Sequence, residues 1–205
     1  MDLYDVAKTL LRPTTALLFR ARATGVERVP ASGPIVVAAN HRSLLDPPLL
    51  GTWFPRTINY MAKHELFKIF GLAWLLKRWH AFPVDRDRAD LGAIRHALRI
   101  LKNGGVVGIF PEGTRNLDGT VKARGGAVLI AATAGCPIVP VALVGTQNAA
   151  RRFRASNVEI RIGDPIVFQG SARKPTKTEI DEWTQELTQK IDALADGRTE
   201  DGWRS

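Results

Sequence analysis

The feature that most constrains the fold is a series of apolar runs of strand length, separated by segments with helical periodicity. The runs are nearly continuous rather than alternating, which is typical of parallel strands buried on both faces. They are "IVVAA" (35–39), "INYMA" (58–62), "VVGIF" (106–110), "IVPVALV" (138–144) and "VEIRI" (158–162). The pattern predicts an α/β fold with a mixed, mostly parallel sheet flanked by helices.

Helices are expected between the strands and at both ends of the chain. Apolar spacing predicts two internal helices, over 88–103 and 125–135. A C-terminal helix is predicted over 176–196, because Thr176 and Glu179 have the spacing of a capping box. The first residues form an amphipathic helical pattern that Pro13 is expected to interrupt.

The 205 residues are enough for one well-buried domain and few for two. We predict a single domain over 1–205, with an amphipathic N-terminal segment (1–32), a core (33–170) and the C-terminal helix. No apolar stretch reaches the roughly 18 residues of a spanning helix, and the N-terminus lacks a cleavage site, so we expect no export. A lone Cys136 excludes an internal disulfide.

The charge balance restricts the class of partner. Lys and Arg number 29 against 20 Asp and Glu, giving a net charge of +9. Such a surface attracts nucleic acid, anionic lipid headgroups or an acidic carrier. A nucleic-acid-binding module has only the cluster "RRFR" in its favour, since no helix carries a basic stripe with base-reading residues and no zinc or aromatic RNA motif is present. We therefore expect no specific nucleic-acid partner.

"NHRSLLDP" (40–47) follows the first apolar run and contains His41 and Asp46. On a regular helix their spacing places them about 140° apart, so they can meet only across a loop or helix start. A histidine beside a carboxylate makes an oriented general base. The alternatives are a polar turn, in which Ser43 hydrogen-bonds locally, and a metal pair, which lacks a further His or Cys cluster.

"PEGTRN" (111–116) follows "VVGIF", where ligands gather at the carboxyl ends of parallel strands. Gly113 lets a backbone amide approach an anion, and Arg115 offers a planar fork for phosphate. The alternative is a turn in which Glu112 pairs with a neighbouring arginine. Arg86, after the short apolar run in "FPVDR", and Lys63 are further phosphate candidates, although each taken singly is more typical of a solvated charge.

In this order, "NHRSLLD", "FPVDR", "FPEGTR" and "IVPV" resemble the glycerolipid acyltransferase family, which the 1-acyl-sn-glycerol-3-phosphate acyltransferases typify. The resemblance extends from about Gly33 to Val144. It implies transfer of an acyl group from a thioester, on coenzyme A or acyl carrier protein, to a hydroxyl of lysophosphatidic acid. The product is phosphatidic acid, in phospholipid biosynthesis. It implies no other cofactor and no metal; another lysophospholipid or a glycolipid is the alternative acceptor.

The resemblance also implies a role for each matching residue. His41 corresponds to the catalytic base and Asp46 to the acid that orients it. Residues assigned to substrate binding are Lys63, Arg86, Glu112, Gly113, Thr114, Arg115 and Pro140. Two positions depart from the family pattern: His80 stands where the second motif usually opens with Gly, and Asn116 where Ser often follows the third motif. Both bear on the identity of the acceptor.

Two apolar segments are candidates for membrane contact: residues 3–19 and residues 66–79. The second is rich in Leu, Phe and Trp, with Lys68 and Lys77 toward its edges. On a regular helix these two lysines would lie on opposite sides, so the spacing does not predict a clean one-sided membrane helix. Together with the basic charge, the two segments predict a peripheral enzyme at the cytoplasmic face of an anionic membrane. The alternative for both segments is packing onto the core.

Overall fold

The computed structural model describes residues 3–85, 90–116, 120–152, 155–168 and 175–197. In these ranges the strands are β1 (Arg22–Thr24), β2 (Ile35–Ala39), β3 (Ile58–Lys63), β4 (Phe82–Val84), β5 (Val106–Ile109), β6 (Ile138–Val144) and β7 (Glu159–Ile162). The α-helices are α1 (Leu3–Phe19), α2 (Asp46–Trp53), α3 (Leu72–Arg78), α4 (Leu91–Lys102), α5 (Gly126–Ala134), α6 (Thr146–Arg152) and α7 (Lys177–Ala195). Short 3₁₀ helices span Val26–Arg28 and His64–Lys68.

The described strands form one sheet of seven in the order β1-β7-β6-β2-β5-β3-β4. The five strands from β6 to β4 are parallel to one another. β7 pairs antiparallel with β6, and β1 runs parallel to β7. The predicted mixed, mostly parallel sheet flanked by helices is therefore confirmed. Because β2, β3 and β5 share one direction, the loops after them emerge at the same edge of the sheet.

Apolar side chains on both faces of the central strand explain why its sequence does not alternate. Every residue of β2 is buried. Ile35 and Val37 point to a core completed by α2, whereas Val36 and Ala38 point to a second core formed with α4, α5 and α7. Helices thus cover both faces, and the central strands have no polar face.

The expected interruption at Pro13 is wrong, because α1 is one helix from Leu3 to Phe19. The two threonines after the proline donate hydrogen bonds from their hydroxyls to carbonyls one turn earlier, Thr14 to Leu10 (2.8 Å) and Thr15 to Leu11 (2.7 Å). The helix also packs on α2, where the Tyr4 hydroxyl donates to the Gly51 carbonyl at 3.2 Å. Tertiary contacts override the local preference of proline.

The segment between β3 and β4 is split into the 3₁₀ helix His64–Lys68 and α3, and Gly71, at φ 77°, lies between them. Lys68 and Lys77 therefore belong to separate helices, and the segment does not form one long amphipathic helix. Part of the segment packs on the core through Phe67 and Leu76.

The C-terminal helix is confirmed with its capping box. The Thr176 hydroxyl accepts a hydrogen bond from the backbone N–H of Glu179, whose carboxylate accepts one from the Thr176 N–H. All five predicted strands are present to within a residue at either end. The three-residue strand β1 was not predicted, whereas β4 coincides with the short apolar run before Arg86, where a strand end was expected. Of the helices described, none has the length and apolar character needed to cross a bilayer.

Candidate active site

His41 lies in the loop that follows β2, at the edge where the parallel strands end. The residue before it fixes the start of this loop. The buried Asn40 side chain donates to the Leu143 carbonyl (3.0 Å) and accepts from the Leu143 N–H (2.7 Å), which ties the end of β2 to the neighbouring β6. The chain therefore leaves the sheet at a fixed point, one residue before the imidazole.

Asp46 opens α2 and turns its carboxylate back onto the loop. Its Oδ2 accepts three hydrogen bonds, from His41 Nδ1 (2.9 Å) and from the backbone N–H groups of Arg42 and Ser43 (2.6 Å each). The predicted loop and helix start between His41 and Asp46 are confirmed. Ser43 accepts from the Leu45 N–H at 3.2 Å, as expected of a turn residue.

The hydrogen bond between His41 and Asp46 determines which nitrogen of the imidazole can accept a proton. Since Nδ1–H donates to a carboxylate, the neutral ring carries its lone pair on Nε2. Asp46 is fully buried, and the His41 side chain is only 11% exposed. One face of the imidazole stacks on Phe110, with ring centroids 4.3 Å apart. The arrangement is that of an oriented general base.

The loop after β5 reaches the same place because β5 pairs with β2. Glu112 Oε2 accepts a hydrogen bond from the backbone N–H of His41 at 2.7 Å, and Glu112 Oε1 accepts from the Asn116 side chain at 3.2 Å. Burial raises the pKa of the Glu112 carboxyl, against the lowering effect of these two hydrogen bonds. The backbone N–H of Asn116 donates to the His41 carbonyl at 2.7 Å.

The other predicted site residues are dispersed around this centre. Gly113 has φ 69°, a conformation that glycine adopts without strain, and Thr114 and Arg115 beside it are exposed. Lys63, at the end of β3, forms an ion pair with Glu65 at 3.2 Å. Pro140 is buried inside β6 opposite Ala38. Arg86 lies outside the described residues.

The sequence analysis assigned no role to Asn40 or Phe110, although both lie in the quoted motifs, and it noted Asn116 only as a departure from the family pattern. Of the three, only Asn40 gave a local signal, a polar side chain directly after a buried strand. His80, noted as a departure from the family pattern, has φ 53°, the left-handed region that glycine favours. Its ring packs edge-on against Tyr4, with centroids 5.2 Å apart.

A metal pair at this position gains no support from the geometry. In the part of the chain that the structure describes, no three His, Cys, Asp or Glu side chains are grouped so that they could hold a metal ion. His41 directs Nδ1 to the carboxylate of Asp46 instead.

Comparison with known proteins adds independent findings. The family model described as Acyltransferase matches residues 20–144. A 1-acyl-sn-glycerol-3-phosphate acyltransferase of Bacillus subtilis (strain 168) is 34% identical over 193 residues, which cover 94% of this chain and 96% of that protein. A protein of the same name from Streptococcus pneumoniae (strain ATCC BAA-255 / R6) is 33% identical over 135 residues, covering 64% of this chain and 49% of the relative.

A solved structure is also similar. It is the crystal structure of the 1-acyl-sn-glycerophosphate (LPA) acyltransferase, PlsC, from Thermotoga maritima. The superposition has a TM-score of 0.71 at 28% sequence identity, and it covers 94% of this chain and 80% of that chain. The likeness therefore extends over nearly the whole fold described above.

Replacing Asp46 by Asn tests how much the carboxylate supports the loop. The amide oxygen can take the place of Oδ2, but it carries no charge, so the hydrogen bonds from His41 Nδ1 and from the Arg42 and Ser43 N–H groups become weaker. We expect Asp46→Asn to lower the free energy of unfolding by about 1–3 kcal/mol, the range for hydrogen bonds that lose a charged partner. Urea denaturation measures it, with the exposed Asp181→Asn on α7 as the matched control. Equal stability of the two variants would show that Asp46 does not hold the loop.

Proposed function

Because the chain belongs to the acyltransferase family, we propose that it transfers a fatty acyl group from a thioester to the free hydroxyl of lysophosphatidic acid, forming phosphatidic acid. The observation that carries this proposal is the buried hydrogen bond between His41 Nδ1 and Asp46, which leaves Nε2 as the basic nitrogen. The names of the two relatives, both 1-acyl-sn-glycerol-3-phosphate acyltransferases, support the choice of acceptor. The donor is a thioester of coenzyme A or of acyl carrier protein, and the reaction requires no cofactor besides this co-substrate.

The proposed step uses His41 as base and then as acid. Nε2 removes the proton from the acceptor hydroxyl while the oxygen attacks the thioester carbonyl carbon. Collapse of the tetrahedral intermediate breaks the C–S bond, and the thiolate takes the proton from the imidazolium. The products are the new ester and the free thiol carrier, with no acyl-enzyme. Asp46 stabilises the imidazolium and keeps Nδ1 protonated.

Acceptor phosphate binding is proposed for the exposed groups near this centre. Arg115 follows Glu112 in the loop after β5, and Lys63 ends β3, so both lie at the edge of the sheet that carries His41. Gly113 and Thr114 lie in the same loop as Arg115 and are proposed to bind the acceptor with it. Arg86 is included because it lies in the sequence motif "FPVDR". Pro140 is buried inside β6, and its assignment to substrate binding stays a prediction. The prediction that the chain binds no specific nucleic acid stays a prediction.

Acyl transfer to lysophosphatidic acid tests the proposal. In detergent, the native chain should form phosphatidic acid from a radiolabelled acyl thioester of coenzyme A or of acyl carrier protein. His41→Ala should lower the rate by about 10²–10⁴-fold, the usual contribution of a general base. His96→Ala, which removes an exposed histidine of α4, is the matched control. An equal rate in His41→Ala would refute its role as base.

A panel of acceptors separates the proposal from its alternative. If the basic groups bind the phosphate, an acceptor without phosphate should react far more slowly than lysophosphatidic acid. Preferred use of another lysophospholipid or of a glycolipid would move the assignment to that acceptor.

We also propose peripheral attachment at the cytoplasmic face of an anionic membrane. The support is an exposed apolar group, here called the docking face: Leu66, Ile69, Phe70, Trp74 and Leu75. It directly follows β3, so it begins at the edge of the sheet that carries His41. Phe70 is fully exposed and Trp74 is 59% exposed, which is unfavourable in water and favourable at a lipid interface.

The charges around the docking face fit anionic headgroups. Lys68, Lys77 and Arg78 are exposed beside it, and the Arg78 guanidinium lies 5.4 Å from the centroid of the Trp74 ring. α1 adjoins this region, since Tyr4 contacts Trp79 with ring centroids 5.5 Å apart. Its exposed leucines, Leu10 and Leu17, are seven residues apart and so share one face of the helix. They offer a second apolar contact.

Vesicle binding tests the docking face. We expect the native protein to sediment with phosphatidylglycerol vesicles more strongly than with phosphatidylcholine vesicles, and added salt should weaken the binding. Phe70→Asp should reduce the affinity for the anionic vesicles about tenfold or more, because a Phe side chain is lost from the interface. Val167→Asp is the matched control, since Val167 is 63% exposed and follows Ile166, which pairs with the amino end of β6 at the opposite edge. Equal losses in both variants would contradict a docking face at 66–75.

A further inference from the structure

The loop after β5 holds both backbone groups of His41. Glu112 accepts from the His41 N–H and the Asn116 N–H donates to the His41 carbonyl, each at 2.7 Å. Phe110, which begins this loop, stacks on the imidazole. The contact joins segments that are 71 residues apart in sequence. Within the described part of the chain, the N–H, the carbonyl and Nδ1 of His41 are all hydrogen-bonded to this loop or to Asp46, and Nε2, the atom assigned to the proton transfer, makes none of these contacts.

We propose that Glu112 and Asn116 are positioning residues that fix the backbone of His41, and that Glu112 does not bind the acceptor. This inference rests on the proposed function, and it replaces the expectation from the sequence that Glu112 contacts the acceptor. It separates the loop 110–116 into two parts with different roles. Glu112 and Asn116 support the base, and Arg115 between them faces solvent and the acceptor phosphate.

The chemistry of a carboxylate supports this division. An ionised Glu112 would repel the phosphate of lysophosphatidic acid if it formed part of the same pocket. Both of its oxygens already accept hydrogen bonds, Oε2 from His41 and Oε1 from Asn116. A ligand hydroxyl would have to compete with these partners. Glu112 is better suited to hold a backbone N–H than to bind a polyanion.

Asn116 stabilises the loop that holds His41. It is 6% exposed, and besides Glu112 its side chain bonds the backbone of Val121, donating to the carbonyl at 3.2 Å and accepting from the N–H at 3.1 Å. Ser is too short to make all three contacts. The departure from the family pattern at this position therefore concerns how firmly the loop is held, and not which acceptor is chosen.

Steady-state kinetics distinguish positioning from substrate binding. With lysophosphatidic acid varied at saturating donor, Glu112→Ala should lower kcat by about 100-fold, the cost of displacing a catalytic group by about 1 Å. The KM for lysophosphatidic acid should stay within about twofold. Arg115→Ala, the matched variant in the same loop, should instead raise KM about tenfold or more. A raised KM with kcat retained in Glu112→Ala would overturn the proposal.

Two conservative variants keep the test independent of loss of folding. Glu112→Gln retains an oxygen for the His41 N–H, so it should recover most of the kcat lost in Glu112→Ala. Asn116→Ser should lower kcat without changing the ranking of acceptors. A Glu112→Gln variant as slow as Glu112→Ala, or an altered ranking in Asn116→Ser, would count against positioning. Thermal unfolding of each variant identifies those that are folded.

Hydrogen–deuterium exchange gives a readout that does not need the reaction. Loss of the acceptor at Oε2 should speed exchange of the His41 amide about tenfold or more in Glu112→Ala and leave it unchanged in Arg115→Ala. If the native protein does not acylate lysophosphatidic acid, the proposed function fails while this result still decides the positioning role. Unchanged exchange at His41 in Glu112→Ala would overturn it.

Discussion

The hydrogen bond from His41 Nδ1 to Asp46 is the interaction on which the rest of the site depends. It sets the tautomer of the imidazole, so that the basic nitrogen is Nε2. A buried carboxylate needs hydrogen-bond donors, and the backbone N–H groups of Arg42 and Ser43 add two bonds to Oδ2, the oxygen that also accepts from His41. The short loop between the two residues is thus both the support of the carboxylate and the carrier of the base.

The sheet brings loops that are distant in sequence together at the site. Because β2 and β5 are adjacent and parallel, the loops after them meet at one edge, and the second loop holds the backbone of the first. β6, on the other side of β2, is joined to the start of the loop through Asn40. His41 is therefore fixed from both neighbouring strands and from α2. Preorganisation of this kind reduces the reorganisation needed during reaction.

The sequence predicted those features that depend on local pattern. The apolar runs at β2 and β6 identify the central strands, Thr176 and Glu179 mark the start of α7, and the order of four motifs identifies the family. Features that depend on contacts distant in sequence were not predicted. The hydrogen bond from the His41 amide to Glu112 spans 71 residues, and α1 continues through Pro13 because it packs on α2. The division of the segment 66–79 has a local cause, the turn at Gly71, whose φ of 77° interrupts the helical register.

A crystal structure of the protein with lysophosphatidic acid and an unreactive thioether analogue of the acyl donor tests the central claim most directly. The account predicts that the free hydroxyl of the acceptor lies about 2.6–3.2 Å from His41 Nε2, within reach for proton transfer. Glu112 should still accept from the His41 amide, and the acceptor phosphate should lie against Arg115. An acceptor hydroxyl placed away from Nε2, or a Glu112 carboxylate turned from the His41 amide to the acceptor, would contradict the account.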